Sequence, residues 1–240
     1  MSKFLVTVAW ADVPHLSEQE QAEQLAAIPP YQRDARTKGI PYLGSGAIYP
    51  FDVSDITVQD FRIPDHWPRG YGMDVGWNRT AAPWGAHDRE ADIVYLYSEH
   101  YMGEDQPPIH ASAIKSRGKW IPGMIDPAAN GRSQIDGKRL LEIYRSEGLI
   151  LHKADNAVEA GIFELWTRLS TGRLKVFNTM VGWLKEFRMY HRDEKGQIVK
   201  RDDHLMDATR YLIMGLGNSK TEPVKRLKHN GRRSGNWMAT

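Results

Sequence analysis

The segment Ile93–Tyr101 constrains the fold of this chain more than any other stretch. Ile93, Tyr95 and Tyr97 occupy one side of its alternating pattern, and Val94 and Leu96 occupy the other. A strand that is apolar on both faces must be covered on both, so it belongs inside a sheet flanked by helices. The pattern on either side agrees. Strands are expected over about 71–76 and 79–86, ahead of the central one. After it come a helix at 107–117, a strand at 121–125, a helix at 134–147, a strand at 149–152, a helix at 155–170, a strand at 174–177 and a helix at 179–190. A charged hairpin then turns at Lys195-Gly196, and a last helix begins near Asp203. Three antiparallel strands followed by strand–helix alternation define an α/β fold. Its mixed sheet has about six strands, with helices on both faces.

Upstream the pattern loosens. Phe4–Trp10 reads as a short strand, and Ser17 with Glu20 forms a capping box for a helix running to Ile28, where Pro29-Pro30 stops it. A turn-rich stretch follows, and the segment from Phe61 to Gly70, with Pro64 and Pro68, reads as a boundary. No apolar run reaches membrane-spanning length, and the N-terminus lacks a signal-peptide pattern, so a cytoplasmic location and no membrane partner are expected. With no cysteine, disulfides and thiolate-ligated zinc are excluded. The net charge of +2 hides an asymmetry: residues from Asn218 onward carry +5 and residues 1–217 carry −3. A basic tail on a slightly acidic body suits either polyanion contact or a solvated flexible end.

Three carboxylate positions stand out. Asp74 ends the first strand beside Gly76, and Asp126 ends the apolar run Met124-Ile125 before Pro127. Asp202, Asp203 and Asp207 cluster at the start of the last helix, with Asp203 and Asp207 one turn apart. Singly, Asp74 reads as a turn or cap residue, Asp126 as an Asp-Pro turn starter and Asp203 as an N-cap. Capping does not call for three acids in six residues. Buried strand-end carboxylates also need positive compensation. Together they suit hard divalent cations such as Mg²⁺ or Mn²⁺. Two ions ~4 Å apart would activate a water and stabilise the leaving 3′ oxygen of a phosphodiester. Phosphate contacts are expected from Arg79, from Arg132 and Ser133 after the Asp126 strand, and from Lys195, Lys200 and Arg201 on the hairpin. The run from Gly215 to Thr221 is no phosphate-binding loop: it lacks a glycine directly before Lys220 and follows a helix. No nucleotide is expected for this chain.

The stretches YGMDVGWNRTAAPWGA, YLYSEHY, WIPGMIDPAANGRSQIDG, NAVEAGI, LKVF and EFRMYHRDEKGQIVKRDDHLMDATRYL resemble, as a set, the C-terminal nuclease domain of the large terminase subunit of tailed bacteriophages. That domain is RNase H-like. The resemblance implies a metal-dependent endonuclease cutting double-stranded viral DNA during packaging in the host cytoplasm, alongside a small terminase subunit and a portal protein. It also implies that Asp74, Asp126 and Asp203 are the catalytic acids and hold two Mg²⁺ or Mn²⁺ ions, with Asp207 as an auxiliary ligand. Residues 1–65 resemble the end of the family's ATPase domain with its linker. Residues 66–217 correspond to the nuclease domain and 218–240 to a basic flexible tail. The alternative is a catalytically inactive DNA-binding or packaging-assembly module of the same fold. Resolvases and transposases share the fold class too, but residues 1–65 argue against them.

Overall fold

The computed structural model describes residues 9–10, 17–27, 37–38, 46–130 and 139–223. The expected strand at Phe4–Trp10, the helix stop at Pro29-Pro30, Arg132, Ser133, the first part of the 134–147 helix and the tail beyond residue 223 lie, wholly or mostly, outside these residues. Helix α1 (Glu18–Ala27) opens on the expected capping box: Ser17 N–H donates to Glu20 Oε2 at 2.9 Å, and Glu20 N–H donates to Ser17 Oγ at 3.3 Å.

A seven-stranded sheet organises the rest, in the order β1-β7-β4-β3-β2-β5-β6. Its strands are β1 (Thr57–Val58), β2 (Arg69–Met73), β3 (Thr80–Asp88), β4 (Ile93–Met102), β5 (Gly123–Ile125), β6 (Leu151–Lys153) and β7 (Leu174–Phe177). Strands β2, β3 and β4 form an antiparallel meander. Strands β5 and β6 add in parallel beside β2, and β7 and β1 add in parallel beside β4. The doubly apolar β4 is therefore interior, as its pattern requires. The strand beyond the six expected is β1, which holds only two residues and carries no readable alternation.

Helices cover both faces. On one side, α3 (Pro107–Lys115) and α4 (Leu140–Ser146) pack over a cluster that includes Tyr71, Met73, Trp84, Ile114, Ile125, Leu141 and Tyr144. On the other side lie α5 (Val158–Ser170), α6 (Val181–Met189) and α7 (His204–Met214), over Val94, Leu96, Met124, Leu165, Trp183 and Leu212. Helix α7 runs across β2, β3 and β5. Its approach to β2 is exceptionally close, because a Cβ on Gly72 would lie 1.7 Å from the Ala208 carbonyl oxygen. Only glycine lets the helix backbone rest directly on the strand.

Residues 46–65, read on sequence as part of the N-terminal appendage, join the core of the sheet domain. Ile48, Tyr49, Ile56 and Ile63 belong to the same buried cluster as Val94 and Trp183. Tyr49 stacks on Phe187 and Tyr190, and β1 pairs with β7. The short helix α2 (Val53–Ile56), N-capped by Asp52, connects them. At the other end, Lys220 exchanges backbone hydrogen bonds with Arg69 at 2.7 and 3.1 Å, so pairing continues past residue 217.

Candidate active site

Strand alternation and register bring the first two acids together. Met73 is paired with Ile125 across the parallel β2–β5 ladder, and Asp126 N–H donates to Met73 O at 2.9 Å. Asp74 and Asp126 each stand one residue beyond that pair, at neighbouring strand ends. By the two-residue period they share a face with Gly72 and Met124, the face covered by α7. Asp74 is held by reciprocal 2.9 Å backbone hydrogen bonds with Ala81. Asp126 turns its Oδ1 to accept from Ala128 N–H at 2.9 Å, the turn geometry expected of an Asp-Pro start.

The N-terminal end of α7 closes the site. His204 lies 2.8 Å from Asp74 Oδ2 through its Nδ1. Burial raises the pKa of Asp74, His204 offsets part of that rise, and the charges of Asp126 and Asp207 push it up again. The His204 imidazole is raised in turn by its bond to Asp74, against the opposing effect of burial. Asp207 and Asp126 also act on Tyr211, whose phenol is raised chiefly by burial and then by these charges.

The two helix acids have different surroundings. Asp203 is the buried N-cap residue of α7, and its carbonyl accepts from Asp207 N–H at 2.9 Å. Its Oδ2 lies 3.1 Å from Lys200 Nζ, an ion pair outside hydrogen-bond geometry. Asp207 accepts from the same Lys200 at 2.9 Å and from the buried Arg210 at 2.9 Å. The Asp207 charge is among those that raise Asp74.

The remaining expected contacts divide. The Arg79 guanidinium stacks on Tyr101 at 4.7 Å. Lys195 stands exposed at the hairpin turn, and the Arg201 side chain is 84% exposed and lies 3.9 Å from Asp202. Lys200, by contrast, is clamped between Asp203 and Asp207.

Arg210 and Glu186 are residues of the site that escaped sequence reasoning. Glu186 on α6 is buried and accepts from Leu205 N–H at 2.6 Å, in the first turn of α7, so it caps the helix that carries His204 and Asp207. Burial raises its carboxyl to about 7. The signal was available: Glu186 falls on the apolar stripe of α6 defined by Trp183, Phe187 and Tyr190.

The donor chemistry fits a hard divalent cation. Acids crowded at one end of the sheet repel one another, and oxygen ligands are what Mg²⁺ or Mn²⁺ prefers. Among the described residues, no three His, Asp or Glu side chains are already gathered into a coordination sphere. Each acid is instead engaged internally: Asp74 by His204, Asp126 by Ala128, and Asp207 by Lys200 and Arg210.

Residues 71–216 match the family described as the terminase RNaseH-like domain. This chain belongs to that family. It is 34% identical over 223 residues to the large terminase subunits of Enterobacteria phage LP7 and Salmonella phage P22, covering 89% of this chain and 46% and 44% of theirs. The chain thus spans less than half the length of these curated relatives. Its fold is similar to the solved nuclease domain of the P22 large terminase, with a TM-score of 0.68, 34% identity, and coverage of 74% of this chain and 96% of that one. The large terminase of a thermophilic bacteriophage shares the fold at 20% identity and a TM-score of 0.61, over 85% of this chain and 54% of that chain. This chain therefore carries the nuclease domain of a phage large terminase subunit, on an RNase H-like sheet. No helix among the described residues is long and apolar enough to cross a membrane.

Proposed function

We propose that this chain is a divalent-metal-dependent endonuclease that hydrolyses phosphodiester bonds of double-stranded viral DNA during packaging. The observation that carries the reading is the placement of Asp74 and Asp126 one residue past the Met73–Ile125 pair, under the helix bearing His204 and Asp207. Membership of the terminase nuclease family supports it.

Asp74, Asp126 and Asp207 are the residues that would hold Mg²⁺ or Mn²⁺ in a two-ion site. Asp203 is the expected third acid, but its place as the buried N-cap residue of α7 suits a supporting role better. Such ions supply Lewis-acid stabilisation of the charge that develops during in-line displacement at phosphorus. The protein's own groups do the positioning. His204 fixes the orientation of the Asp74 carboxylate, Arg210 fixes that of Asp207, and Glu186 holds the start of α7 in place. Arg79, Lys195 and Arg201 are available to neutralise phosphates without reading sequence. Double-stranded DNA is the substrate in this reading, with a small terminase subunit and a portal protein as packaging partners. Residues 1–65 would include the end of an ATPase domain and its linker, although residues 46–65 pack with the nuclease core.

A plasmid-nicking assay with Mn²⁺ tests the proposal. Wild-type protein is expected to convert supercoiled plasmid to nicked and linear forms, and Asp126→Asn is expected to lose cutting while still binding DNA. Wild-type protein that cuts nothing yet binds DNA with steep salt dependence would instead make this an inactive binding module.

A further inference from the structure

The loop joining β2 to β3 carries a feature that the metal site does not use. Within the span closed by the Asp74–Ala81 bridge, residues 76–78 are exposed, and Trp77 presents 63% of its surface to solvent. An indole held out this far is costly in water, and here it stands only three residues from Asp74. A three-residue span places its backbone within about 10 Å of the acid.

The loop is also firmly built. Glu104 N–H donates to Trp77 O at 2.8 Å, and Thr80 Oγ1 donates to Gly76 O at 3.3 Å. Gly103 packs so tightly beneath that a Cβ there would lie 2.0 Å from Asn78 O. The same loop is tied to the acid site through side chains. Arg79 stacks on Tyr101, whose phenol is raised chiefly by burial and then by Glu186, and Glu186 holds Leu205 at the start of α7. Trp77 is therefore an exposed aromatic residue on a braced loop, three residues from Asp74 and two from Arg79.

We propose that Trp77 is a wedge that enters the minor groove of duplex DNA next to the phosphodiester to be cut, with Arg79 on the flanking backbone. This rests on the endonuclease reading for its substrate but not for its measurement. Apolar side chains inserted between base steps kink a duplex and increase its contact with protein. At this site such a kink would turn one strand's backbone toward Asp74 and Asp126. It would also favour flexible steps, giving cutting a shape preference with no base-reading helix.

The test is binding of the full 240-residue chain to a fluorescent duplex in Ca²⁺ buffer, by anisotropy at several salt concentrations. Trp77→Ala is expected to weaken binding about tenfold, on the scale of one lost aromatic–base contact, with an unchanged salt slope because the indole neutralises no phosphate. Trp77→Phe is expected to restore most of the affinity, and netropsin, which fills the minor groove of A·T-rich duplex, is expected to erase the difference between wild type and Trp77→Ala. Binding by Trp77→Ala within twofold of wild type overturns the proposal, as does a netropsin-insensitive difference or a loss confined to single-stranded DNA. If wild-type protein shows the Trp77-dependent, netropsin-sensitive binding but never nicks plasmid with Mn²⁺, the wedge stands and the endonuclease reading falls.

Discussion

Gly72→Ala tests the geometric basis of the site directly. The added Cβ would lie 1.7 Å from the Ala208 carbonyl oxygen, 2.6 Å from its carbon and 3.1 Å from Leu212 N, all backbone atoms of α7. No rotamer change relieves a clash with backbone. An ordinary carbon–oxygen contact of roughly 3.2 Å requires the helix to withdraw by about 1.5 Å. Leu205, Met206, Ala208 and Leu212 are buried on that helix, and a gap of this size forfeits much of their packing. Overpacking of this kind costs about 3 kcal/mol, at the upper end for core insertions. For a domain of this size that lowers Tm by about 6–12 °C. The same displacement separates His204 and Asp207 from Asp74, and a misplacement of about 1 Å or more in a catalytic constellation costs on the order of 100-fold in rate. Thermal unfolding and Mn²⁺-dependent plasmid nicking read the two effects separately. Gly217→Ala serves as the control, since a Cβ there meets nothing within 4 Å. A Gly72→Ala protein that melts and cuts like the control would refute the claim that helix–strand contact sets the site.

Three other perturbations probe different parts of the fold. Gly161→Ala, which on an exposed helix would stabilise by about 1 kcal/mol, is expected to destabilise here, because the new Cβ would lie 2.3 and 2.5 Å from the buried Arg210 side chain; urea unfolding gives the sign. Lys200→Met removes the ammonium shared by Asp203 and Asp207 and is expected to tighten Mn²⁺ binding several-fold by calorimetry, whereas weaker binding would make Lys200 an organiser of the acids. His100 and His110 meet in the core at 2.9 Å, and burial, then His110 and Arg117, lower the His100 pKa to about 4. The unfolded chain, with a histidine pKa of about 6.5, takes up the proton first, so the contribution of His100 is present above pH 6.5 and is lost between about 6.5 and 4, by up to about 3 kcal/mol. His100→Gln is expected to flatten the Tm–pH curve over that window, and an unchanged slope would refute the assignment.

Much of the fold was legible because strands and helices announce themselves by local period. The β4 alternation required a doubly covered sheet, and the 174–177 strand appears with those bounds. Asp74 and Asp126 were legible for a related reason, since each is the first carboxylate after an apolar run. Strand β1 and helix α2 were not legible, because two- and four-residue elements are too short to show a period. Ile48, Tyr49 and Ile56 gave no sign of joining the core, because what buries them is a surface made by α6, α7 and β7, far along the chain.

By itself, the sequence determined the order of elements, the interior strand and the strand-end position of two acids, all consequences of side-chain period and turn chemistry within a few residues. Tertiary structure alone decided how the helix acids divide. Asp203 and Asp207 are one turn apart and nearly equivalent on paper. The approach of α7 over Gly72, the cap from Glu186 and the reach of Lys200 and Arg210 make one of them a buried N-cap and bring the other's charge to bear on Asp74. The approach over Gly72 joins residues far apart in the chain and the Glu186 cap links two different helices, so no local pattern encodes them. The Lys200 and Arg210 pairings lie within seven residues and take effect only once that helix is in place.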